Sequence, residues 1–324
     1  MTRPDILVVR NEGTTGWGAA ARELIAAFER AGASVASAGT GPTPHVRTFM
    51  LTDLAQARAA RGAARRAIAE HKPGAIVYCS ITSALLWPSP GAIWLDTLCA
   101  ENRPGRHGVW QRLAERKRVE QAPLLLVMSP RSLAPLNDGA HADSVLVPVP
   151  VERSGPVVER DILAVTYAGD PAKKRLDHIL DAWSRARHPA ERLVVAGLDG
   201  LPRTDGVEAV GRVAPDEYRA LLRRARAFVA APTREDYGIA PLEALADGCQ
   251  LVTTPSPGPY PARDLARRLD PRLVSDDLPS AIRIALDDPT PNYAERALEL
   301  LAPFTHAAVD EAIAARVLPR LVPR

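Results

Sequence analysis

Two series of alternating strand-like and helix-like segments, separated by one proline-rich break, constrain this chain more than any other feature. In the first series residues 6–9, 75–79, 92–95, 124–128 and 144–147 read as strands, and residues 19–30, 55–70 and 109–120 as helices. Short β-branched and leucine-rich strands joined by helices imply parallel pairing through crossovers. The segment 147–156, Val-Pro-Val-Pro-Val-Glu-Arg-Ser-Gly-Pro, then interrupts the pattern. Proline removes a backbone donor and fixes φ, so this stretch reads as a linker. The alternation restarts after it, with strands at 163–168, 193–196, 227–230 and 251–253 and helices at 176–186, 215–224, 241–247 and 261–269. Helices at 280–286, 293–301 and 305–317 follow.

The expectation is an α/β chain of two doubly wound, Rossmann-like domains facing a central cleft, because open α/β sheets bind ligands outside the carboxyl ends of their strands. The expected boundaries are 1–150, 151–304 and a terminal helix at 305–324 packing back toward the first domain. The 324 residues suffice for two domains, and 46% apolar with 24% charged residues is a globular balance. A net charge of only +3 gives no case for a nucleic-acid partner, and no RNA-recognition, helix-turn-helix or zinc-finger spacing occurs. Cys79, Cys99 and Cys249 lie far apart with no CxxC pair, as expected of buried thiols in a reducing compartment. No apolar run approaches the roughly 18 residues that span a bilayer, and no signal-peptide layout precedes the first strand. A cytoplasmic protein is expected.

Three loops carry chemistry. The first, Gly13-Thr14-Thr15-Gly16-Trp17-Gly18, sits between a strand and a helix. Its glycines could bring backbone amides to an anion at a helix N-terminus, although a tight turn explains them equally well. The second, Gly169-Asp170-Pro171-Ala172-Lys173-Lys174-Arg175-Leu176, places cations at an expected helix start. The helix dipole disfavours cations there, and a bound diphosphate would offset the conflict. The third, Arg234-Glu235-Asp236-Tyr237-Gly238-Ile239-Ala240-Pro241-Leu242-Glu243, holds two carboxylates eight residues apart around a glycine turn. Proline suits a first helical turn, and a carboxylate beside it can accept two hydrogen bonds from a ribose diol. The amides of Gly238, Ile239 and Ala240 are placed for phosphate or sugar oxygens. Either glutamate alone could be a capping acid; together they match the sugar–diphosphate–ribose order of a nucleotide-sugar.

With its flanks, Pro232 through Gly248, this third loop resembles the E-x7-E signature of retaining GT-B glycosyltransferases, family 4 (glycosyl transferases group 1). Val210-Gly211-Arg212-Val213-Ala214-Pro215-Asp216-Glu217-Tyr218 resembles that family's base-binding segment. Val194-Val195-Ala196-Gly197 and the Gly169 loop fall in the expected order. The likeness is strong over residues 163–256. It is thinner in the first half, where Gly16-Trp17-Gly18 and Ala21-Arg22-Glu23-Leu24 resemble the glycine loop and first helix. The resemblance implies transfer of a sugar from a nucleoside-diphosphate donor to a glycan, lipid or small-molecule acceptor, with retention. It assigns Glu243 to the ribose, Glu235 to the transferred sugar and Lys174 to the diphosphate. Gly16, Trp17, Gly169, Gly197 and the Gly238–Ile239–Ala240 backbone complete the donor site, and Arg212 and Val213 line the base pocket. Catalytic roles fall to Lys174, Glu235 and Asp96.

Two departures stand out. An arginine that the family usually carries just after the glycine is replaced here by Asp170 and Pro171, leaving Arg175 to compensate. A histidine usual near the acceptor is missing from Ile93-Trp94-Leu95-Asp96-Thr97, so Asp96 takes that place, with Arg103 and His107 as further acceptor-binding candidates. Asp96 could equally be a turn acid. No D-x-D occurs, so neither a metal nor another cofactor is expected. A nucleotide-sugar epimerase of the same fold and a non-catalytic nucleotide-sugar-binding protein are the competing readings, the second supported by Asp170, an acid beside a diphosphate. Arginines on 58–66 and 112–118 read first as solvated faces. They also leave a peripheral contact with anionic lipid at the inner face of a membrane open. The sequence does not define the oligomeric state.

Overall fold

The computed structural model describes residues 3–10, 15–41, 43, 46, 48–136 and 143–322. Gly13 and Thr14 of the first glycine loop lie outside the described residues, as does the side chain of His107. The chain divides into two compact units, residues 1–150 with 306–324, and residues 151–305.

The first unit runs β1 (Ile6–Arg10), α1 (Thr15–Arg30), β2 (Val35–Gly39), α2 (Phe49–His71), β3 (Ala75–Cys79), α3 (Ile81–Ala84), β4 (Ala92–Leu95), α4 (Cys99–Asn102), α5 (Val109–Gln121), β5 (Leu125–Val127) and β6 (Ser144–Leu146). Its six strands are parallel in the order β2-β1-β3-β4-β5-β6. Ile6, Leu7, Val8 and Val9 are fully buried, as a strand covered by helices on both faces requires.

The second unit runs β7 (Ile162–Tyr167), α6 (Pro171–Lys174), α7 (Leu176–Ala186), β8 (Leu193–Ala196), β9 (Val207–Gly211), α8 (Pro215–Arg224), β10 (Ala225–Ala230), α9 (Ile239–Ala246), β11 (Gln250–Thr253), α10 (Pro261–Leu269), α11 (Leu278–Asp287) and α12 (Tyr293–Leu300). Its five strands are also parallel, in the order β11-β10-β7-β8-β9. From β7 the chain winds outward through β8 to β9, then returns to β10 on the other side of β7. The topological switch point of this sheet therefore lies between β7 and β10. After it the chain forms α13 (His306–Ala312), a π-helical turn over Ile313–Val317 and α14 (Leu318–Leu321). This tail belongs to the first unit: Arg30 on α1 grips Asp310 through two hydrogen bonds of 2.7 and 2.8 Å.

Several expectations shift. The sequence pattern misses β2 and β9, Val-Ala-Ser-Ala-Gly and Val-Glu-Ala-Val-Gly, because both are sheet edges and neither is built from large apolar residues. The helix expected from residue 19 begins at Thr15, so Gly16, Trp17 and Gly18 belong to its first turn and not to a loop. The helix expected at 55–70 begins at Phe49, where Thr48 Oγ1 accepts the Leu51 N–H at 3.4 Å. The single helix expected at 305–317 is interrupted by the π turn; Pro319, with no N–H, cannot continue the α ladder back to Ala315.

Trp183 anchors the second sheet from α7. It is fully buried, and its Nε1 donates to Gly206 O at 2.8 Å. Trp183→Ala is expected to destabilise the protein by about 3–5 kcal/mol, read as a lower midpoint of chemical denaturation.

Candidate active site

At the switch point two loops leave neighbouring strand ends side by side, one after β7 and one after β10. The Thr233 N–H donates to Lys173 O at 3.0 Å, fastening one loop to the other. Side chains complete the join. The Lys174 ammonium forms a close, hydrogen-bonded ion pair with Glu235 Oε2, and Lys173 Nζ lies 3.7 Å from Glu235 Oε1. Glu235 is buried, whereas Lys174 keeps a fifth of its side chain exposed.

Local structure revises the reading of the first loop. Asp170 is the N-cap of α6; its Oδ1 accepts the Lys173 N–H at 3.0 Å, and Pro171 follows inside the helix start. The acid noted as out of place beside a diphosphate thus has a capping role. Lys174 ends this one-turn helix instead of beginning a longer one, so its charge suits the helix dipole. Arg175 separates α6 from α7 in the left-handed region at φ 51°, a conformation uncommon for a residue with a side chain. It lines a surface hollow with Asp177, Leu198 and Leu201, and none of Lys174, Glu235 or Glu243 borders that hollow.

The second loop is held from below. The Glu235 N–H donates to Pro257 O at 3.0 Å. Gly238 precedes α9 at φ 80°, and a Cβ there would stand 2.9 Å from Glu235 Cγ and 3.1 Å from the Tyr260 ring. Only glycine passes the chain so close over Glu235. Helix α9 starts at Ile239, two residues before the expected position, so Glu243 lies in the second turn and not the first. Its partner is Arg219, with Nη1 3.6 Å from Glu243 Oε1. Arg219 also donates to the fully buried carboxylate of Asp247 at 2.6 Å and to Glu152 O at 2.7 Å. Asp247 Oδ1 further accepts the Ser154 N–H at 2.8 Å. Burial pushes the Glu243 carboxyl up to about 7, against the pull of Arg219 and with help from Asp247.

The expected base segment lies beside these residues. Gly197, at φ 91°, approaches Tyr167 so closely that a Cβ would sit 2.6 Å from the ring, and a Cβ on Gly169 would meet the Tyr167 hydroxyl at 2.7 Å. The Gly197 N–H donates to Gly211 O at 2.8 Å, and the Arg212 N–H donates to Asp199 Oδ1 at 2.9 Å. Arg212 is exposed, 3.5 Å from Asp199 Oδ2. Val213 follows it into the exposed approach to α8. The Tyr218 ring packs against Tyr167 at a tilt of 58°, with ring centres 5.4 Å apart. Arg219, Asp247, Ser154, Tyr167 and Tyr218 carried no motif signal; only their position after folding brings them to Glu243 and the glycines.

In the first unit Asp96 follows β4, and its Oδ1 accepts the Thr97 N–H at 2.8 Å. Arg103 forms a bidentate pair with buried Asp53, at 2.7 and 3.1 Å. Trp17 packs edge-on to Trp94 at 6.0 Å, and a Cβ on Gly16 would meet nothing within 4 Å. Among the described residues no cluster of three His, Cys, Asp or Glu side chains is placed to hold a metal ion. None of the helices there is long and apolar enough to cross a membrane.

Residues 159–288 match the family model described as Glycosyl transferases group 1, so the second unit contains a glycosyltransferase domain. No curated protein sequence matches the chain. Solved structures match at low identity. A sucrose-phosphate synthase from Thermosynechococcus elongatus is 17% identical, with 95% of this chain and 96% of that one covered and a TM-score of 0.65. WaaG, a glycosyltransferase involved in lipopolysaccharide biosynthesis, is 14% identical over 95% and 98%, with a TM-score of 0.67. Anabaena HepE, solved with UDP and glucose, is 16% identical over 96% and 98%, at 0.65. The fold is thus two parallel-sheet, Rossmann-like domains matching GT-B glycosyltransferases.

The raised Glu243 carboxyl has a consequence for stability. Its folded value of about 7 lies above 4.5, so the folded state holds the proton more tightly. The group is neutral in its effect below about pH 4.5 and destabilises increasingly as pH rises to 7. Glu243→Gln is expected to raise stability at pH 8 by roughly 1–3 kcal/mol, with the gain vanishing in acid. Thermal melting across pH checks both the sign and the window.

Proposed function

We propose that the chain is a retaining, family 4 glycosyltransferase that moves a sugar, a hexose or a related one, from a nucleoside diphosphate to a hydroxyl of a glycan, lipid or small molecule. The observation that carries this reading is the Lys174–Glu235 pair at the β7/β10 switch point, with Glu235 on the same loop-and-helix segment as Glu243. The glycosyltransferase domain supports the activity, and HepE, solved with UDP and glucose, supports the donor class.

In this reading the diphosphate takes Lys174 from Glu235, freeing the carboxylate to accept from hydroxyls of the sugar. The amides of Gly238, Ile239 and Ala240 meet phosphate or sugar oxygens. Glu243, ionised beside Arg219, accepts from the ribose diol. Gly169 and Gly197 allow close backbone approach, and Arg212 and Val213 border the base. The bond from the anomeric carbon to the diphosphate oxygen breaks as the acceptor oxygen bonds to the same face. The acceptor proton passes to the departing phosphate oxygen, and the products are the glycoside and the nucleoside diphosphate. Lys174 stabilises the charge that develops on that oxygen, by an electrostatic arrangement set before reaction. Asp96 serves the acceptor or the positive charge developing on the sugar, with Gly16, Trp17, Arg103 and His107 in supporting positions of the first domain.

No metal is required, because Lys174 and the amides carry the diphosphate charge. Arg175, which borders a hollow that Lys174, Glu235 and Glu243 do not, is given no part in this scheme. The capping hydrogen bond gives Asp170 a structural role that an active enzyme would share. Three buried free cysteines suit a cytoplasmic, reducing setting.

Transfer assays across donors and acceptors test the assignment. Lys174→Ala is expected to lower kcat by about 10²–10³. Glu243→Ala is expected to raise the donor KM about tenfold, one charge-assisted contact's worth, with a smaller effect on kcat. Unchanged kinetics in both variants would contradict the site. Transfer is expected to survive EDTA, and its loss, restored by Mg²⁺ or Mn²⁺, would contradict metal independence.

A further inference from the structure

Two consecutive lysines converge on one carboxylate at the β7/β10 switch point. Neighbours in a helix ordinarily point about 100° apart. Yet both ammonium groups face Glu235 from α6, Lys174 in the close pair with Oε2 and Lys173 with its Nζ 3.7 Å from Oε1. The Lys173 backbone is fixed from the other loop, since its carbonyl accepts the Thr233 N–H at 3.0 Å and the Thr233 hydroxyl at 3.4 Å. Glu235 is buried, whereas the Lys173 side chain is half exposed. Among the described residues, Lys173 and Lys174 are the cations placed within 4 Å of Glu235. Arg234, on the same loop, pairs with Asp236 at 2.7 Å, and Arg263 of α10 pairs with Asp264 at 2.8 Å. Tyr260, whose ring flanks Gly238 together with Glu235, shares a 3.0 Å hydrogen bond with Thr253. Burial pushes its phenol above the ordinary range, so it stays neutral.

One close ion pair serves the free protein. Donor binding changes the balance, because in the proposed reading the diphosphate draws Lys174 away from Glu235. The carboxylate remains buried, and a buried carboxylate that loses its cation is strongly destabilised or takes up a proton. A protonated Glu235 would have fewer lone pairs to offer the hydroxyls of a sugar. Lys173 meets this need without rearrangement of the backbone. Its ammonium sits on a flexible stem beside the other carboxylate oxygen, and a shift of about 1 Å brings it to charge-assisted hydrogen-bonding distance.

We propose that Lys173 is a positioning residue that takes over the Glu235 carboxylate when the donor diphosphate withdraws Lys174. The assignment rests on the proposed donor site. Lys173 then touches neither phosphate nor sugar. It holds Oε1, keeps Glu235 ionised and in place, and leaves Oε2, released by Lys174, to accept from the sugar.

Calorimetric titration of the full chain tests the proposal, with UDP, GDP or ADP as the probe, whichever binds most tightly. Lys173→Met is expected to weaken diphosphate binding about tenfold at pH 8 and progressively less toward pH 6, where Glu235 takes up a proton more readily. The titrations of the phosphate and of Glu243 occur in both proteins and cancel in the ratio of their affinities. Lys173→Arg is expected to restore binding. In a Glu235→Gln background no carboxylate needs a cation, so Lys173→Met is expected to change affinity by less than about twofold. Equal losses in both backgrounds would put Lys173 on the phosphate itself and overturn the proposal, as would a loss in neither. A separate control reads the donor site: wild type prefers the diphosphate over the matching monophosphate, and Lys174→Met loses that preference. Wild type without that preference would remove the donor reading, and the proposal with it.

Discussion

The reversal of strand order between β7 and β10 is the constraint on which the candidate site depends. A parallel sheet wound outward in both directions from β7 must release two loops from adjacent strand ends at one place. Here those loops carry opposite charges, Lys174 on one and Glu235 on the other, and the pair joins them. A buried carboxylate needs such a partner, because an uncompensated charge at that depth is strongly unfavourable. The ion pair therefore holds the two loops together, and in the proposed reading it keeps an ammonium where the diphosphate would bind.

A second network supports the ribose end of the proposed donor site. Arg219 reaches Asp247, Glu243 and the Glu152 carbonyl from α8, and Ser154 joins from the segment that opens the second unit. Asp247, fully buried, is fixed by several donors at once, whereas Glu243 has one cation at 3.6 Å and a carboxyl raised to about 7. The two acids, Glu243 in α9 and Asp247 at its C-cap, lie four residues apart and meet the same arginine, yet their surroundings differ. Asp247 behaves as structural ballast, and Glu243 retains hydrogen-bonding capacity for a ligand.

Much of the architecture was legible where local and tertiary signals agree. Helices Leu176–Ala186, Pro215–Arg224 and Pro261–Leu269 appear at their expected bounds, because apolar periodicity, and in two of them a leading proline, mark both pattern and start. Central strands such as Ala75–Cys79 and Leu193–Ala196 follow for the same reason. Edge strands β2 and β9 did not, since a strand with one neighbour and a half-exposed surface needs few large apolar residues. The E-x7-E segment identified the acids but not their setting. That Glu243 sits a turn deeper, that Lys174 closes a one-turn helix and that Asp170 caps it depend on where helices begin, which Pro241 and Leu176 alone did not define. Arg219 is invisible in sequence because its contacts at Glu152 and Asp247 are 67 and 28 residues away.

The most direct measurement is the preference of the protein for nucleoside diphosphate over the matching monophosphate, titrated in wild type and in Lys174→Met. If Lys174 holds the diphosphate, the wild type binds the diphosphate more tightly and the variant loses most of that preference while still binding the nucleoside portion. A preference that survives the substitution undiminished would place the phosphates elsewhere and contradict the site.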